Sequence, residues 1–353
     1  MTTIKRDDFG KTKSGIPVDI YTLSTKTMSV KVLTRGCAFY EVNVPDRKGS
    51  LANVCSNMKA LADYENRRTF FGAFIGRFAN RIAGATFDLD GNRYTLAQNP
   101  FGHAIHGGPG GFDTLVWKVE RVVESEREAV LEFSYRSPDG EEGYPGNLDI
   151  RLLYTLTEDS RLQMEYFAAT DKKTFVNLTN HTFWNLAGPG SPSVLNHQLT
   201  MTADRYLPVR EGLIPTGDMA SVTGTALDFR IPRRVGEQIH TITEPWFSSG
   251  YDHCLLLPDK PAGTLSFAAK LVDPDSGRTM TVETTEPAVQ VYSGNFLDGT
   301  IMSAEGHPYP HQSLLCLEAQ HYPDSPHHPA FPSTLLEPGH TYRQTTIHTF
   351  GIE

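Results

Sequence analysis

Residues 148–168 read LDIRLLYTLTEDSRLQMEYFA, and their pattern decides the fold class. Leu148, Ile150, Leu152, Tyr154 and Leu156 fall on every second position. The polar triplet Glu158-Asp159-Ser160 interrupts the run, and Leu162, Met164, Tyr166 and Ala168 resume it. A period of two belongs to a strand, whose side chains alternate between faces. An antiparallel hairpin with one buried face is predicted. Residues 86–96 (TFDLDGNRYTL) carry an Asp90-Gly91 turn between two strand-like arms, a second hairpin signal. Residues 117–123, 129–135, 279–284, 288–292, 314–319 and 342–350 also have strand character. In the last of these Tyr342, Gln344, Thr346, His348 and Phe350 share a face, which ties the C-terminus into a sheet. Helical patterning is confined to residues 57–66. The 30 glycines and 23 prolines are scattered and mark no linker. An all-β fold of large antiparallel sheets with few short helices is expected, as one domain over residues 1–353.

The balance of 41 acidic against 32 basic residues leaves a formal charge of -9. Nucleic acid is a poor partner for such a chain, because phosphate binding needs clustered Lys and Arg. No apolar run is long enough for a membrane span, and MTTIKRDDFG begins no signal peptide. Cys37, Cys55, Cys254 and Cys316 form no CxxC pair and are read as small core residues of a reduced, cytoplasmic protein.

Four segments are dense in polar and aromatic residues: FIGRFANRI (74–82), HAIHGGPGGF (103–112), NLTNHTFWNLAG (177–188) and CLEAQHYPDSPHHPAFP (316–332). Glu318 stands in an apolar strand, where a carboxylate is costly to bury unless paired or functional. It is a candidate general base. His181 can give or take a proton near neutrality, and its aromatic neighbours suit a sugar ring while Asn177 and Asn180 suit hydroxyls. A satisfied core histidine beside Trp184 fits the same residues, and composition alone favours it. His106 precedes two glycines, which permit close backbone approach. With His103 it has HxxH spacing, a weak metal signal that lacks further ligands. His327 and His328 are expected at the surface. Arg77 and Arg81 read first as structural ion-pair partners, Asp252 as a strand-opening turn residue. Gln290 is equally a pocket or a solvent residue. No nucleophile elbow, Walker loop or dinucleotide fingerprint is present, so no cofactor is expected.

The same residues resemble the aldose 1-epimerase (galactose mutarotase) family. GRFANRI, HGGPGGFD, the Gly143-Tyr144-Pro145-Gly146 turn, NLTNHTFWNLAG, LPVREGLIPTG, DFR, YDHCLLL, TTEPAVQVYSGNFLDG and LEAQHYPDSPHHPAFPS follow the family's order across most of the chain. The resemblance implies a β-supersandwich with a sugar cleft and no metal or other cofactor. It implies Glu318 as catalytic base, His181 as catalytic acid and His106 as a second active-site histidine. Asn80, Arg81, His106, His181, Phe183, Asp252, Gln290 and Glu318 become the substrate-binding set, with Arg81 rather than Arg77 the matching arginine. Two positions depart. Phe183 stands where the family often has an aromatic hydroxyl, and His327 stands where Asn is common.

The implied reaction interconverts the α and β anomers of free hexoses such as glucose and galactose. A carboxylate base with a protonated histidine predicts a bell-shaped kcat profile, not flat between roughly pH 5 and 8. A hexose-6-phosphate 1-epimerase of the same fold is the nearest alternative and calls for extra cleft cations. A non-catalytic sugar-binding protein and a metal-dependent cupin-like enzyme are the others. The expected partner is a small hexose, with the chain a monomer or weak homodimer.

Overall fold

Alternation along residues 148–168 is realised as a hairpin inside a sheet. Strands Leu148–Thr157 and Arg161–Thr170 pair antiparallel, with Leu152 opposite Tyr166 and Leu156 opposite Leu162. Their alternate side chains are buried throughout. The computed structural model describes residues 1–242 and 250–353. Among these the hairpin lies within a nine-stranded sheet. The C-terminal strand Tyr342–Ile352 lies between Arg161–Thr170 and Arg278–Thr284, so the chain end is held mid-sheet as expected. The Asp90-Gly91 turn joins Thr86–Leu89 to Asn92–Thr95, a separate hairpin.

A six-stranded sheet runs in the order Phe183–Trp184, Leu315–Gln320, Ala288–Tyr292, Asp252–Leu256, Arg205–Tyr206, Ala220–Ser221. All named strand pairs in these sheets are antiparallel. One face of the six-stranded sheet supplies Leu255, Val289, Val291, Leu315 and Leu317 to the main core. There they join Leu152, Tyr154, Met164 and Tyr166 of the larger sheet. Two large antiparallel sheets packed through one apolar layer make the expected all-β supersandwich.

A five-stranded antiparallel sheet at the N-terminal end, Thr3–Lys11 to Leu51–Asn53, escaped the sequence reading. Its first strand, TIKRDDFGK, is exposed or half-buried throughout and has no apolar alternation. Only backbone pairing with Pro17–Ser24 makes it a strand. The helix expected over residues 57–66 is shorter, Leu61–Asn66. Asn57 is held extended instead, because its side-chain oxygen accepts the Ala304 N–H at 2.9 Å and its own N–H donates to the Tyr309 hydroxyl at 3.0 Å. The Asp63 carboxylate accepts the Ala60 N–H at 2.9 Å and begins the helix there. All four cysteines are free and buried, which matches their reading as core residues. Among the described residues no helix is long and apolar enough to cross a membrane.

Arg77 is a backbone clamp. It is buried and donates to the carbonyls of Ser137, Pro138, Pro145 and Gly146 and to the Ser137 hydroxyl, at 2.7–3.0 Å. The clamp joins the Phe74–Ile82 region to the 144–146 turn, and among the described residues no carboxylate makes an ion pair with it. The structural reading holds, with carbonyls in place of an acid. Arg77→Met should strand these carbonyls and cost about 3 kcal/mol. A shift in urea midpoint with unchanged m-value checks this.

Candidate active site

The core-averse face of the six-stranded sheet builds the site. Glu318 lies two positions from Cys316 on Leu315–Gln320, so both face away from Leu315 and Leu317. Register places Gln290 opposite Glu318 and Cys254 opposite Gln290. The next row runs Phe183, Cys316, Tyr292, Asp252. Pairing alone thus gathers Glu318, Gln290, Asp252 and Phe183 from four strands.

His181 reaches the same place from the short strand Thr179–His181, which pairs with Ala73–Ile75. His106 arrives from the 103–112 loop with φ at 49°. Its N–H donates to the Asn80 carbonyl at 2.9 Å, and its Nδ1 accepts the Asn80 N–H at 3.2 Å. The following glycine is obligatory, because a Cβ on Gly107 would sit 1.8 Å from the Gly76 carbonyl oxygen.

Asn80, Arg81, His106, His181, Phe183, Asp252, Gln290 and Glu318 all line one cavity of about 290 Å³. That is at the small end of small-molecule sites, roughly 300–1,000 Å³. His181 Nε2 lies 3.5 Å from Glu318 Oε1. Gln290 Nε2 donates to Asp252 Oδ1 at 2.6 Å, and Arg81 lies 3.9 Å from Asp252 Oδ2. Among the described residues, Arg81 Nε, Gln290 Oε1 and Glu318 Oε2 are buried and have no hydrogen-bond partner. Buried polar atoms are nearly always satisfied, so three orphans at one cavity call for a ligand that donates and accepts hydrogen bonds. Two roomier hollows, about 580 and 710 Å³, are lined by none of the orphaned residues.

Electrostatics follow from burial. Glu318 is 2 % exposed and His181 5 % exposed. Burial pushes the Glu318 carboxyl well above its ordinary range; Asp252 adds to the rise and Arg81 opposes it. Burial brings the His181 imidazolium down to about 4, and nearby Arg81 contributes. His106 is driven well below its usual range by burial, with charge repulsion from His181, Arg81 and Arg68 adding to the fall. Asp252 is raised by burial and held back by Arg81 and the Gln290 hydrogen bond.

Ligating atoms of His106, His181 and Glu318 lie within 4.8 Å of one another, a possible metal set. The chemistry of His106 does not fit that use. Its Nδ1 accepts the Asn80 N–H, so the neutral ring carries its proton on Nε2 and presents a donor. The HxxH pair does not converge either: His103 Nδ1 accepts the Gly84 N–H at 3.1 Å, away from His106.

Asn177 and Asn180, read from sequence as hydroxyl ligands, are braces. Asn177 spans His321, accepting its N–H at 3.0 Å and donating to its carbonyl at 3.2 Å. Asn180 donates to the Gly72 carbonyl at 2.9 Å. Neither lines the cavity. His327 and His328 lie outside it as expected, paired with buried Asp324 at 2.6 and 3.3 Å. Asp324 in turn donates its N–H to the Arg81 carbonyl at 2.8 Å.

Sequence reasoning missed the loop around Phe70. Phe70 stacks on His181 at 5.6 Å and packs on His106 at 4.8 Å, with the Arg68 guanidinium on its other side at 4.6 Å. Tyr292 and Phe296 complete the wall. The RRTFF run at 67–71, directly before GRFANRI, was the available signal.

A β-supersandwich whose cavity joins a buried carboxyl, an imidazole and unsatisfied polar atoms fits the class of enzymes that act on sugars. Known proteins agree. The family model for aldose 1-epimerase matches residues 19–349. Galactose mutarotase of Homo sapiens is 41% identical over 353 residues, 100% of both chains. Aldose 1-epimerase of Escherichia coli K12 is 38% identical over 342 residues, covering 96% of this chain and 97% of that protein. The crystal structure of galactose 1-epimerase from Lactobacillus acidophilus NCFM matches with a TM-score of 0.86 at 28% identity, covering 100% of this chain and 99% of that one. The chain belongs to the aldose 1-epimerase family.

A buried carboxyl with an orphaned oxygen is a cost the fold bears for its site. Its raised folded pKa means the native state binds more protons than the unfolded one above the ordinary carboxylate range. Stability attributable to Glu318 therefore falls as pH rises through that interval. Glu318→Gln should be more stable than the wild type at pH 7 by about 1 kcal/mol, with the difference shrinking toward pH 4. Denaturation curves at the two pH values check the sign.

Proposed function

We propose that this protein is a cofactor-free aldose 1-epimerase acting on the α and β anomers of free glucose and galactose in cytoplasmic hexose metabolism. The observation that carries the reading is the buried His181–Glu318 contact beside three orphaned polar atoms in one cavity. Glu318 takes the O1 proton while His181 Nε2 gives a proton to the ring oxygen O5. The C1–O5 bond breaks and C1=O1 forms. Rotation about C1–C2 exposes the other carbonyl face, and reclosure returns both protons. Asp252, Gln290, Asn80 and Arg81 hold hydroxyls, and the His106 Nε2–H offers a donor to charge growing on oxygen. Phe183 supplies an apolar wall.

The reaction needs one proton shared between Glu318 and His181. Burial disfavours both charges, raising the carboxyl and lowering the imidazolium, so before sugar binds the shared proton is biased toward the carboxyl. The reactive form carries that proton on His181 instead. A bound sugar favours this form, since O1–H donates to the carboxylate and O5 accepts from Nε2–H.

Charge at the cleft supports a neutral substrate over a hexose phosphate. Arg68 pairs with Asp113, Arg67 lies 3.6 Å from Asp298, and Arg81 lies 3.9 Å from Asp252. Each cation is already matched by a carboxylate. The reading takes residues 1–353 as one domain, supported by a core to which all three larger sheets contribute. Four free thiols support a reducing compartment.

Polarimetry on freshly dissolved α-D-glucose and α-D-galactose tests the activity. Decay of rotation should accelerate with protein, and Glu318→Gln should lower kcat by about 10²- to 10⁴-fold. Equal decay with and without protein would sink the reading. Dialysis against a chelator should leave the rate unchanged. The pH profile should be a bell whose two limbs belong to the pair, burial lowering the imidazolium and raising the carboxyl. Activity falls toward acid as the pair gains a second proton, near the His181 value of about 4. It falls toward alkali when the pair loses its proton, above the ordinary carboxylate range.

A further inference from the structure

His181 is held by Glu318 and also by two aromatic rings and a thiol that the proton transfer does not itself use. Phe70 and Phe183 lie nearly parallel to its ring, at 5.6 Å and 19° and at 4.9 Å and 24°. These two rings restrict how far the imidazole can turn about its Cβ–Cγ bond. Two polar contacts reach its nitrogens: Nε2 with Glu318 Oε1 at 3.5 Å, and Nδ1 with Cys316 Sγ at 3.6 Å. Cys316 and Glu318 are alternate residues of one strand, so both project to the cleft face. Cys316 is wholly buried and in register with Phe183 and Tyr292.

We propose that Cys316 is a positioning residue whose sulfur accepts the His181 Nδ1 proton and so confines proton exchange to Nε2. The inference rests on the acid role given to His181 above. As acid the imidazolium loses its Nε2 proton and keeps the one on Nδ1. On reclosure a proton returns to Nε2. Nδ1 therefore stays protonated through both half-reactions and needs a steady acceptor. A buried thiol is suited to this, because burial pushes it well above its ordinary range and it remains neutral. Sulfur is a weak acceptor, strong enough to choose between two tautomers without holding the ring as an ion pair would. His106 makes the contrast. Its Nδ1 accepts the Asn80 N–H, so its proton lies on Nε2. The two cleft histidines thus carry opposite tautomers: His106 presents a fixed donor, His181 a nitrogen free to exchange.

Cys316→Ala and Cys316→Ser differ little in size, and only serine keeps an acceptor. The full chain is labelled with ¹⁵N-histidine and observed without sugar at pH 7. The His181 signals are assigned by their loss in His181→Gln. Wild type and Cys316→Ser should show a protonated Nδ1 and a bare Nε2. Cys316→Ala should shift toward the other tautomer. In polarimetry Cys316→Ala should lose about three- to tenfold in kcat with KM within about twofold. Its acid limb should move to lower pH, since the imidazolium has lost an acceptor. Cys316→Ser should track the wild type in each. A wild-type spectrum with the proton on Nε2 overturns the proposal, as do alanine and serine variants that behave alike. The spectra involve no turnover, so they decide the tautomer whether or not mutarotation is detected.

Discussion

Contact between His181 Nε2 and Glu318 Oε1, 3.5 Å long and shut from water, is the constraint around which the cleft is arranged. Two ionisable groups placed there in an apolar wall resist charge, and each does so in its own direction: the acid is raised and the base lowered. Their ordinary order of acidity is thereby reversed at rest. In the proposed mechanism a proton passed between them gives a base and an acid at once, with no net change in the charge of the site. Arg81 acts on both, favouring the carboxylate and disfavouring the imidazolium. Asp252 keeps Arg81 near without closing on it, at 3.9 Å, and is itself held by Gln290 at 2.6 Å.

Sheet register explains how such a pair can be built at all. A carboxylate in LLCLEA has core on one side, from Leu315 and Leu317, and cleft on the other. Shifting the strand by one residue would drive Glu318 into the main core and put leucines in the cleft, which the apolar layer forbids. Packing of Leu317 against the larger sheet therefore aims Glu318. Gln290 and Asp252 inherit their places from the same ladders. His181 and His106 come from short strands and loops, so their positions depend on braces. Asn177 and Asn180 supply these behind His181, and Asn80 supplies them for His106.

Large parts of this were legible in the sequence, for reasons that differ by element. The hairpin at 148–168 announced itself because one face is buried and the period of two survives intact. The strand at Thr3–Lys11 was silent because neither face is apolar. Glu318 stood out as a charge among leucines, yet its partner could not be found locally, since His181 lies 137 positions away in the chain. Family resemblance was needed to join them, and it also separated Arg81 from Arg77. Residue type misled at Asn177 and Asn180, whose amides are spent on backbone groups and, at Asn180, also on the Thr182 hydroxyl. Phe70 was missed because its role lies in a backbone conformation, with φ at 61°, that composition does not record.

That conformation belongs to a pattern. Phe70, Asn80 and His106 all have left-handed φ, at 61°, 61° and 49°, and all three line the cavity. Each such residue costs roughly 1–3 kcal/mol, most for a bulky aromatic that has no local hydrogen bond to offset it. Three of them at one cleft, with three unsatisfied polar atoms and a desolvated acid–base pair, concentrate strain and lost solvation in a single place. The nine-stranded sheet and its core can absorb this because they lie on the other side of the six-stranded sheet and share no side chain with the cleft face. The supersandwich thus separates its tasks by face: one side of Leu315–Gln320 packs the core, and the other keeps polar atoms whose hydrogen bonds, on the proposed reading, a bound sugar completes.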